Sequence, residues 1–550
     1  MSIHPFSPEG RLNALEQMSK ETVDLLIVGG GITGCGLARD AALRGMKVAL
    51  VEKEDFAYGT SSRSSKLVHG GIRYLANGEV NLVRESARER RVLQTIAPHL
   101  IHPIPFVFPL YKGNSTAKYR TGFAIFDKLA GVPPSDQHKL LKADEVRAMA
   151  PLLREPLKSG IVYGEYMTDD ARFTLANAQS AAEHGAWVAN HAAVTRFLLD
   201  GDRVIGAAVK DTISNKVYNV AAKVTVNATG PWAEETLLKS RFKPPKRMLL
   251  SKGVHLLFRA ERIPIEGAIA LRSPSGKEGF AIRRLEHVYV GTTDVPYDSS
   301  PDEPTADAEA VHELLTMAQQ CFPDANITEH DIIGTWAGLR PLIDEGKSSR
   351  DTSRHDEVWK IKDGFLSIAG GKLTTYRQMA HRIMRHVAKE LHIHFENNEK
   401  TAEVILPGGK LHTNVENFRS EMMETLKEKG VAEQTANRLT WLYGTFIHDL
   451  IRYGEEDSMW LEPLADDINA IKGEVRLAVE QEMALAISDF MCRRSALLLF
   501  SENHGLSAVK TAAGIMGALL GWDETKRRHE ISRYTEIANA HMLPVKRTRS

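Results

Sequence analysis

Three cysteines in 550 residues, Cys35, Cys321 and Cys492, are too few and too scattered for a disulfide framework. No two of them form a C-x-x-C pair, so a structural zinc site is not indicated either, and this usage suits a reducing compartment. An excess of one charge is also missing. Lys plus Arg and Asp plus Glu both number 70, so the chain as a whole has no pull toward nucleic acid or an acidic surface. No apolar run approaches the roughly 18 residues of a membrane span. The longest, AAGIMGALLGW, is broken by three glycines, and the opening MSIHPFSPEGRLNALEQMSK lacks the apolar centre of a signal peptide. Repeats and low-complexity tracts are absent as well. What remains is a globular chain expected in the cytoplasm, whose charge selectivity is local and for which any membrane role, on the inner face of the cell membrane, would have to be peripheral.

The length calls for two or three domains. From Val23 to Glu52 the pattern runs apolar strand, glycine turn, helix, short turn and second apolar strand KVALVEK, a βαβ unit. AAKVTVNATGPWA reads as a further buried strand with a small-residue turn, and GFLSIAGGKLTTYRQMAHRIMRHVAKEL as strand, glycine turn and long helix. These pieces predict one α/β, Rossmann-like dinucleotide domain assembled discontinuously from 20–100, 155–245 and 330–392. SKGVHLLFRA, GAIALRS and GFAIRRLEHVYVGTTD read as short strands of a mostly antiparallel substrate domain over 101–154 and 246–329. Past about residue 395 the strand signals stop. Val475, Val479, Met483, Ile487, Phe490 and Met491, three and four apart, predict one amphipathic helix in an all-helical C-terminal domain, 393–550.

Gly29, Gly31 and Gly34 form G-x-G-x-x-G in the setting that gives the motif meaning, after a strand and opening a helix. The first permits the tight turn, the second lets backbone approach a pyrophosphate at the helix N-terminus, and the third lets helix and strand pack closely. Glu52, ending the second strand, can accept hydrogen bonds from a ribose hydroxyl. An acid here argues against a 2′-phosphate, which leaves FAD or NAD. Two further stretches favour FAD. The hydroxyl-rich TSSRSSKLVHGGIRYL can follow a second diphosphate face and reach an isoalloxazine ring, and IAGGKLTTYRQMA supplies another helix N-terminus for a flavin carbonyl or ribityl chain. The first contributes Thr60, Ser61, Ser62, Ser65, Lys66, Leu67, His69 and Gly70, with His69 along the flavin; the second contributes Gly371, Lys372, Leu373 and Thr374. Cys35 lies in the loop with no partner thiol and reads as packing, not redox chemistry.

The motifs DLLIVGGGITGCGLARDAALRG, GTSSRSSKLVHGGIRYL, NATGPW, SKGVHLLF, WAGLRPL and IAGGKLTTYR stand in one order along residues 20–390. In that order they resemble the FAD-dependent, respiratory glycerol-3-phosphate dehydrogenases. The resemblance implies oxidation of sn-glycerol 3-phosphate to dihydroxyacetone phosphate, with FAD reduced and then reoxidised by a membrane quinone. It places Ala228, Gly230 and Trp232 of NATGPW at the cofactor. Related oxidases that use oxygen carry an insertion not seen here, so the dehydrogenase is favoured. The amine and amino-acid oxidases share the glycine loop and remain the other alternative. The implied partners are glycerol 3-phosphate, a quinone and a membrane surface; nucleic acid is not among them, and a homodimer is left open.

Oxidising a secondary alcohol with a flavin requires an acceptor for the hydroxyl proton, and this substrate also requires cations for a phosphate dianion. By resemblance, Arg73, Tyr74, Arg340, Arg354 and Lys372 match substrate-site positions. Arginine offers phosphate a planar fork and lysine a compact charge. Arg354 lies in the polar run EGKSSRDTSRHDE, where a solvated surface charge or a shift to Arg350 is an equal reading. His255 matches a family active-site histidine and is the candidate base, or the group orienting the hydroxyl, with Arg340 stabilising a developing alkoxide. A satisfied core histidine is its alternative, because the surrounding strand is apolar. No metal site is expected.

Overall fold

The computed structural model describes residues 3–72, 75, 78–344, 356–395 and 399–544. Helix α1 (Pro8–Lys20) starts where the Ser7 hydroxyl accepts from the Gly10 N–H at 3.1 Å, with proline at its first position. It leads into strand β1 (Val23–Val28), helix α2 (Ile32–Leu43) and strand β2 (Val48–Val51). The continuous apolar run of β1 has a physical reason: both faces of the strand are buried. Leu25 and Ile27 face an interior shared with Leu37, Ala38 and Ile383, whereas Val23, Leu26 and Val28 face Leu15 and Met18.

β1 lies inside a sheet ordered Glu357–Lys362, Phe365–Ala369, Val217–Asn227, β1, β2, Trp187–Ala189. All neighbours on this path are parallel except the first pair. Strands Ala192–Asp200 and Arg203–Asp211 add an antiparallel meander beside Val217–Asn227. Helices α2, Asp170–Glu183 and Tyr376–Leu391 pack together on one face. The sheet is covered on both faces, the arrangement expected of the dinucleotide domain.

Among the described residues the second sheet has ten strands and is antiparallel except where Ala268–Arg272 meets Ile101–Tyr111. Its pairings move the sequence-drawn boundaries. Leu157–Thr168 pairs with Ile101–Tyr111, Ile332–Ile343 with Met248–Arg259, and Leu67–Val68 with Leu157–Thr168, so all three belong by strand pairing to this sheet rather than to the dinucleotide sheet. Apolar strand patterns alone do not say which sheet a strand joins.

From Lys400 onward the described residues are helical, with one isolated bridge between Pro463 and Ile471. The predicted helix over 475–491 is broken. Lys472–Glu482 stops at Met483, which takes a left-handed conformation (φ 53°) and gives its carbonyl to Asn190 Nδ2 at 3.0 Å. A π-helical turn, Phe490–Arg494, follows and aims Arg493 and Arg494 at buried Asp55 of the dinucleotide domain. Arg172–Glu482 and Arg284–Asp169, each at 2.6 Å, are also buried; the first ties the helical domain to the dinucleotide domain and the second ties strand Glu278–Arg284 to the N-cap of helix Asp170–Glu183. Arg284 holds the Asp169 carboxyl at about 2 against the opposing effect of burial.

Candidate active site

The carboxyl ends of the parallel strands open into a cavity of ≈ 330 Å³, walled by the glycine loop, the ends of β2 and Val217–Asn227, and the Gly370–Leu373 turn. Loop geometry explains the glycines. Gly29 has φ +112°, and a Cβ there would lie 2.6 Å from the Ala228 carbonyl oxygen. A Cβ on Gly34 would lie 1.9 Å from the Gly29 carbonyl oxygen. Gly31 caps α2 without a side chain, so backbone faces the cavity, and the Ile32 N–H donates to Ser61 Oγ at 2.9 Å. Glu52 lines the cavity and shapes it: its carboxylate accepts from the Gly30 N–H at 2.6 Å and the Glu54 N–H at 2.9 Å. Burial raises its pKa against those two hydrogen bonds.

Beyond the loop, the residues from Tyr58 to Gly70 divide into two roles. Tyr58, Gly59, Thr60, Ser61 and Ser64 line the cavity. The others expected at the cofactor are not on this cavity's wall. Ser62 Oγ donates to the Gly59 carbonyl at 3.4 Å; Lys66 is buried against Asp170, and the Gly70 N–H donates to buried Glu165 at 2.9 Å. Leu67 is buried in its short strand, His69 is half-buried, and Ser65 Oγ lies 2.8 Å from His255 Nε2. Of the remaining cofactor candidates, Ala228, Gly230, Trp232, Gly371, Lys372 and Leu373 line the cavity, whereas Thr374 is buried behind it. Helix Tyr376–Leu391 begins at this turn without a side-chain cap, which leaves its N-terminal dipole directed at the cavity region.

A second set of glycines makes a notch in the ten-stranded sheet. Gly253 pairs directly with Gly338, and His255 with Gly291. A Cβ on Gly253 would sit 2.4 Å from an Arg340 guanidinium nitrogen, and one on Gly291 would sit 2.2 Å from His255 Cδ2. Gly338 faces the Arg63 carbonyl, 2.2 Å from where its Cβ would be. The missing side chains make room for His255 and Arg340 behind Ser64 and Ser65. His255 stacks on Trp336 with ring centroids 4.6 Å apart. Burial first, then the charges of Arg340 and Lys66, hold its pKa well below the ordinary histidine value, so the imidazole is neutral. Arg340 donates to Thr292 Oγ1 at 2.9 Å and the Thr293 carbonyl at 3.2 Å, with Asp294 at 3.7 Å.

Neither His255 nor Arg340 belongs to the cavity wall, although Pro341, next to Arg340, does. Arg73, Tyr74 and Arg354, with its alternative Arg350, lie outside the described residues. The sequence reading missed Ser64, Asp170, Trp336 and Tyr289. Asp170 follows the strand Leu157–Thr168 in the acidic pair of MTDDARF, the one local sign that a charged group stands at a strand end there. Cys35 is buried and its Sγ lies 3.3 Å from the Gly30 carbonyl; burial pushes its thiol pKa far up, which fits packing.

The residues fit a dinucleotide. Backbone with no Cβ, an uncapped helix N-terminus and a strand-end acid meet in one cavity of the right chemistry. Comparisons agree. A family model described as FAD dependent oxidoreductase matches residues 24–377, and one described as the C-terminal domain of alpha-glycerophosphate oxidase matches 399–527. The aerobic glycerol-3-phosphate dehydrogenase of Staphylococcus saprophyticus is 38% identical over 523 residues, 93% of each chain. That of Bacillus subtilis is 36% identical over 556 residues, 99% of this chain and 100% of the other. Among solved structures, the glycerol-3-phosphate dehydrogenase from Bacillus halodurans complexed with FAD is 33% identical, with a TM-score of 0.81 and 98% of each chain covered.

Proposed function

The chain belongs to the FAD dependent oxidoreductases, in the family of aerobic glycerol-3-phosphate dehydrogenases, and from that premise we propose that it oxidises sn-glycerol 3-phosphate to dihydroxyacetone phosphate and delivers the electrons to a membrane quinone. The observation that carries the reading is the adjacency of two built places: a glycine-floored cavity for the dinucleotide and a notch holding a neutral imidazole beside a guanidinium. When bound, FAD supplies the acceptor for the hydride.

The protein's own residues divide the remaining work. Gly29, Gly31 and the N-terminus of α2 hold the diphosphate, and Glu52 accepts from a ribose hydroxyl with lone pairs left after binding Gly30 and Glu54. Arg340 and Lys372, with Arg73, Tyr74 and Arg354, hold the phosphate dianion. His255, kept neutral, takes the hydroxyl proton, and Arg340 steadies the negative charge that develops on that oxygen.

No helix among the described residues is long and apolar enough to cross a membrane. Contact with lipid is therefore assigned to a surface. Two basic stretches of the sequence, KR at Lys246–Arg247 and the tail VKRTRS, are candidates; Lys246 is engaged by Glu357 at 2.5 Å, and the tail beyond Pro544 lies outside the described residues. Helix Thr116–Ala130 supplies the face proposed for lipid contact: Ile125 is 47% exposed, with exposed Lys118 and Lys128 on the same side of the helix. The test is anaerobic addition of glycerol 3-phosphate to the yellow protein, followed by a quinone analogue. Bleaching and then recovery of colour support the reading. Rapid recovery with oxygen alone supports an oxidase, and bleaching by an amine or amino acid instead supports that other class.

A further inference from the structure

His255 is closed in. It is 3% exposed, Trp336 stacks on one face at an interplanar angle of 11°, and Tyr289 meets it edge-on at 6.0 Å. Nδ1 is buried with no hydrogen-bond partner among the described residues, and Nε2 lies 2.8 Å from Ser65 Oγ. A substrate hydroxyl in the cavity region thus has no open path to the ring. Ser65 is different: it is half-buried and follows Ser64, part of the cavity wall.

The same two aromatic rings that enclose His255 also fix the backbone of this segment. Tyr289 Oη donates to the Ser65 carbonyl at 2.9 Å, and Trp336 Nε1 donates to the Ser64 carbonyl at 3.3 Å. On the far side Lys66 is clamped by Asp170, which also accepts from the Ser64 N–H at 3.0 Å. Four contacts hold the segment Ser64–Lys66, one of them on Ser65 itself, whose hydroxyl meets the imidazole; a loop merely passing the cofactor does not require that degree of placement.

We propose that the Ser65 hydroxyl is the proton relay between the substrate and His255, a step that rests on the reading of the chain as a glycerol-3-phosphate dehydrogenase. The substrate O–H bond breaks as its proton passes to Ser65 Oγ, while the Ser65 O–H bond breaks and its proton forms an N–H bond at His255 Nε2. Neither residue changes oxidation state; two electrons leave the carbinol carbon with its hydrogen, as hydride, to the flavin of the established family chemistry. The relay requires the neutral imidazole to carry its proton on Nδ1, so that Nε2 accepts from Ser65, and to return the added proton through the same hydroxyl after the ketone leaves. The groups facing the ring favour that return: Arg340 and Lys66 are cationic, and the Tyr289 phenol is kept protonated by burial.

The experiment compares FAD-loaded wild type, Ser65→Ala and Ser65→Thr by anaerobic rapid mixing with glycerol 3-phosphate across pH. 15N NMR of labelled histidine is recorded without substrate, with the His255 signal assigned by its loss in His255→Gln. Ser65→Ala should keep its flavin, slow reduction about 100-fold, lose the acid limb of the pH profile and shift the Nε2 resonance. Ser65→Thr, which keeps a hydroxyl, should recover most of the rate. Wild-type reduction with an unaltered pH profile in Ser65→Ala overturns the relay alone. So does loss of flavin in both variants, which would return Ser65 to the cofactor. A wild type that glycerol 3-phosphate does not reduce overturns the substrate reading and the relay with it.

Discussion

Two regions of this molecule are built from glycine, and they use it in opposite ways. At Gly29 and Gly34 of the first loop the absent side chains let backbone meet backbone: the forbidden contacts are the Ala228 and Gly29 carbonyls, which cannot move without moving the chain. In the notch at Gly253, Gly291 and Gly338 the absent side chains mostly admit other side chains, Arg340 and His255, and only Gly338 faces a carbonyl. The loop comes from one βα unit, whereas the notch joins three strands separated along the chain. A backbone device tolerates no change. A side-chain device yields in graded steps, and substitutions should separate the two.

The largest effect is expected at Gly34→Ala, where a Cβ collides with a fixed carbonyl. Overpacking of this kind costs about 3 kcal/mol, read as a lower denaturant midpoint together with loss of bound FAD; normal colour and midpoint would break the contrast. Next come the notch side chains. His255→Ala and Arg340→Ala should keep their flavin and stability but reduce turnover about 100-fold, measured as kcat/KM for glycerol 3-phosphate. Gly253→Ala should act more gently, since the Arg340 side chain can shift: KM should rise about tenfold, equivalent to about 1.4 kcal/mol, with FAD content unchanged. Glu52→Ala sharpens the loop side of the contrast, because it removes the acceptor of the Gly30 N–H as well as the one proposed for the ribose. FAD affinity should fall by about 1–3 kcal/mol, checked by fluorescence titration.

The smallest effect concerns neither region but the seam that holds the helical domain. His191 Nε2 lies 2.9 Å from Asp489, and that carboxylate raises the imidazole pKa despite burial. A group whose folded pKa is raised contributes stability fully present below its unfolded value of 6.5 and lost as pH rises through the folded value. Wild type should therefore lose thermal stability relative to His191→Gln on the alkaline side. Parallel melting curves at every pH would remove the pair from the docking account.

How much of this was legible in the sequence follows from the same contrast. Gly29, Gly31, Gly34 and Glu52 could be read because the βαβ pattern that gives them meaning lies within 30 residues, and the structure places Gly29, Gly31 and Glu52 on one cavity wall. Ser65 and His255 are 190 positions apart, and nothing local in TSSRSSK says that its fifth hydroxyl-bearing neighbourhood turns toward a histidine strand rather than a diphosphate. That Leu157–Thr168 and Ile332–Ile343, inside the segments 155–245 and 330–392, pair in the other sheet was hidden for the same reason, since periodicity records burial and not partnership. The break at Met483 escaped notice because a left-handed methionine carries no glycine signal; a hydrogen bond from Asn190, far away in sequence, supports it.

The central claim is that one glycine site holds FAD and the other serves the substrate. Its most direct test is anaerobic rapid mixing of FAD-loaded Arg340→Ala with rising glycerol 3-phosphate, following flavin absorbance in a single turnover. The account predicts a full complement of flavin that is reduced far more slowly than in wild type, with saturation displaced to higher substrate concentration. Reduction at the wild-type rate and wild-type saturation would contradict it.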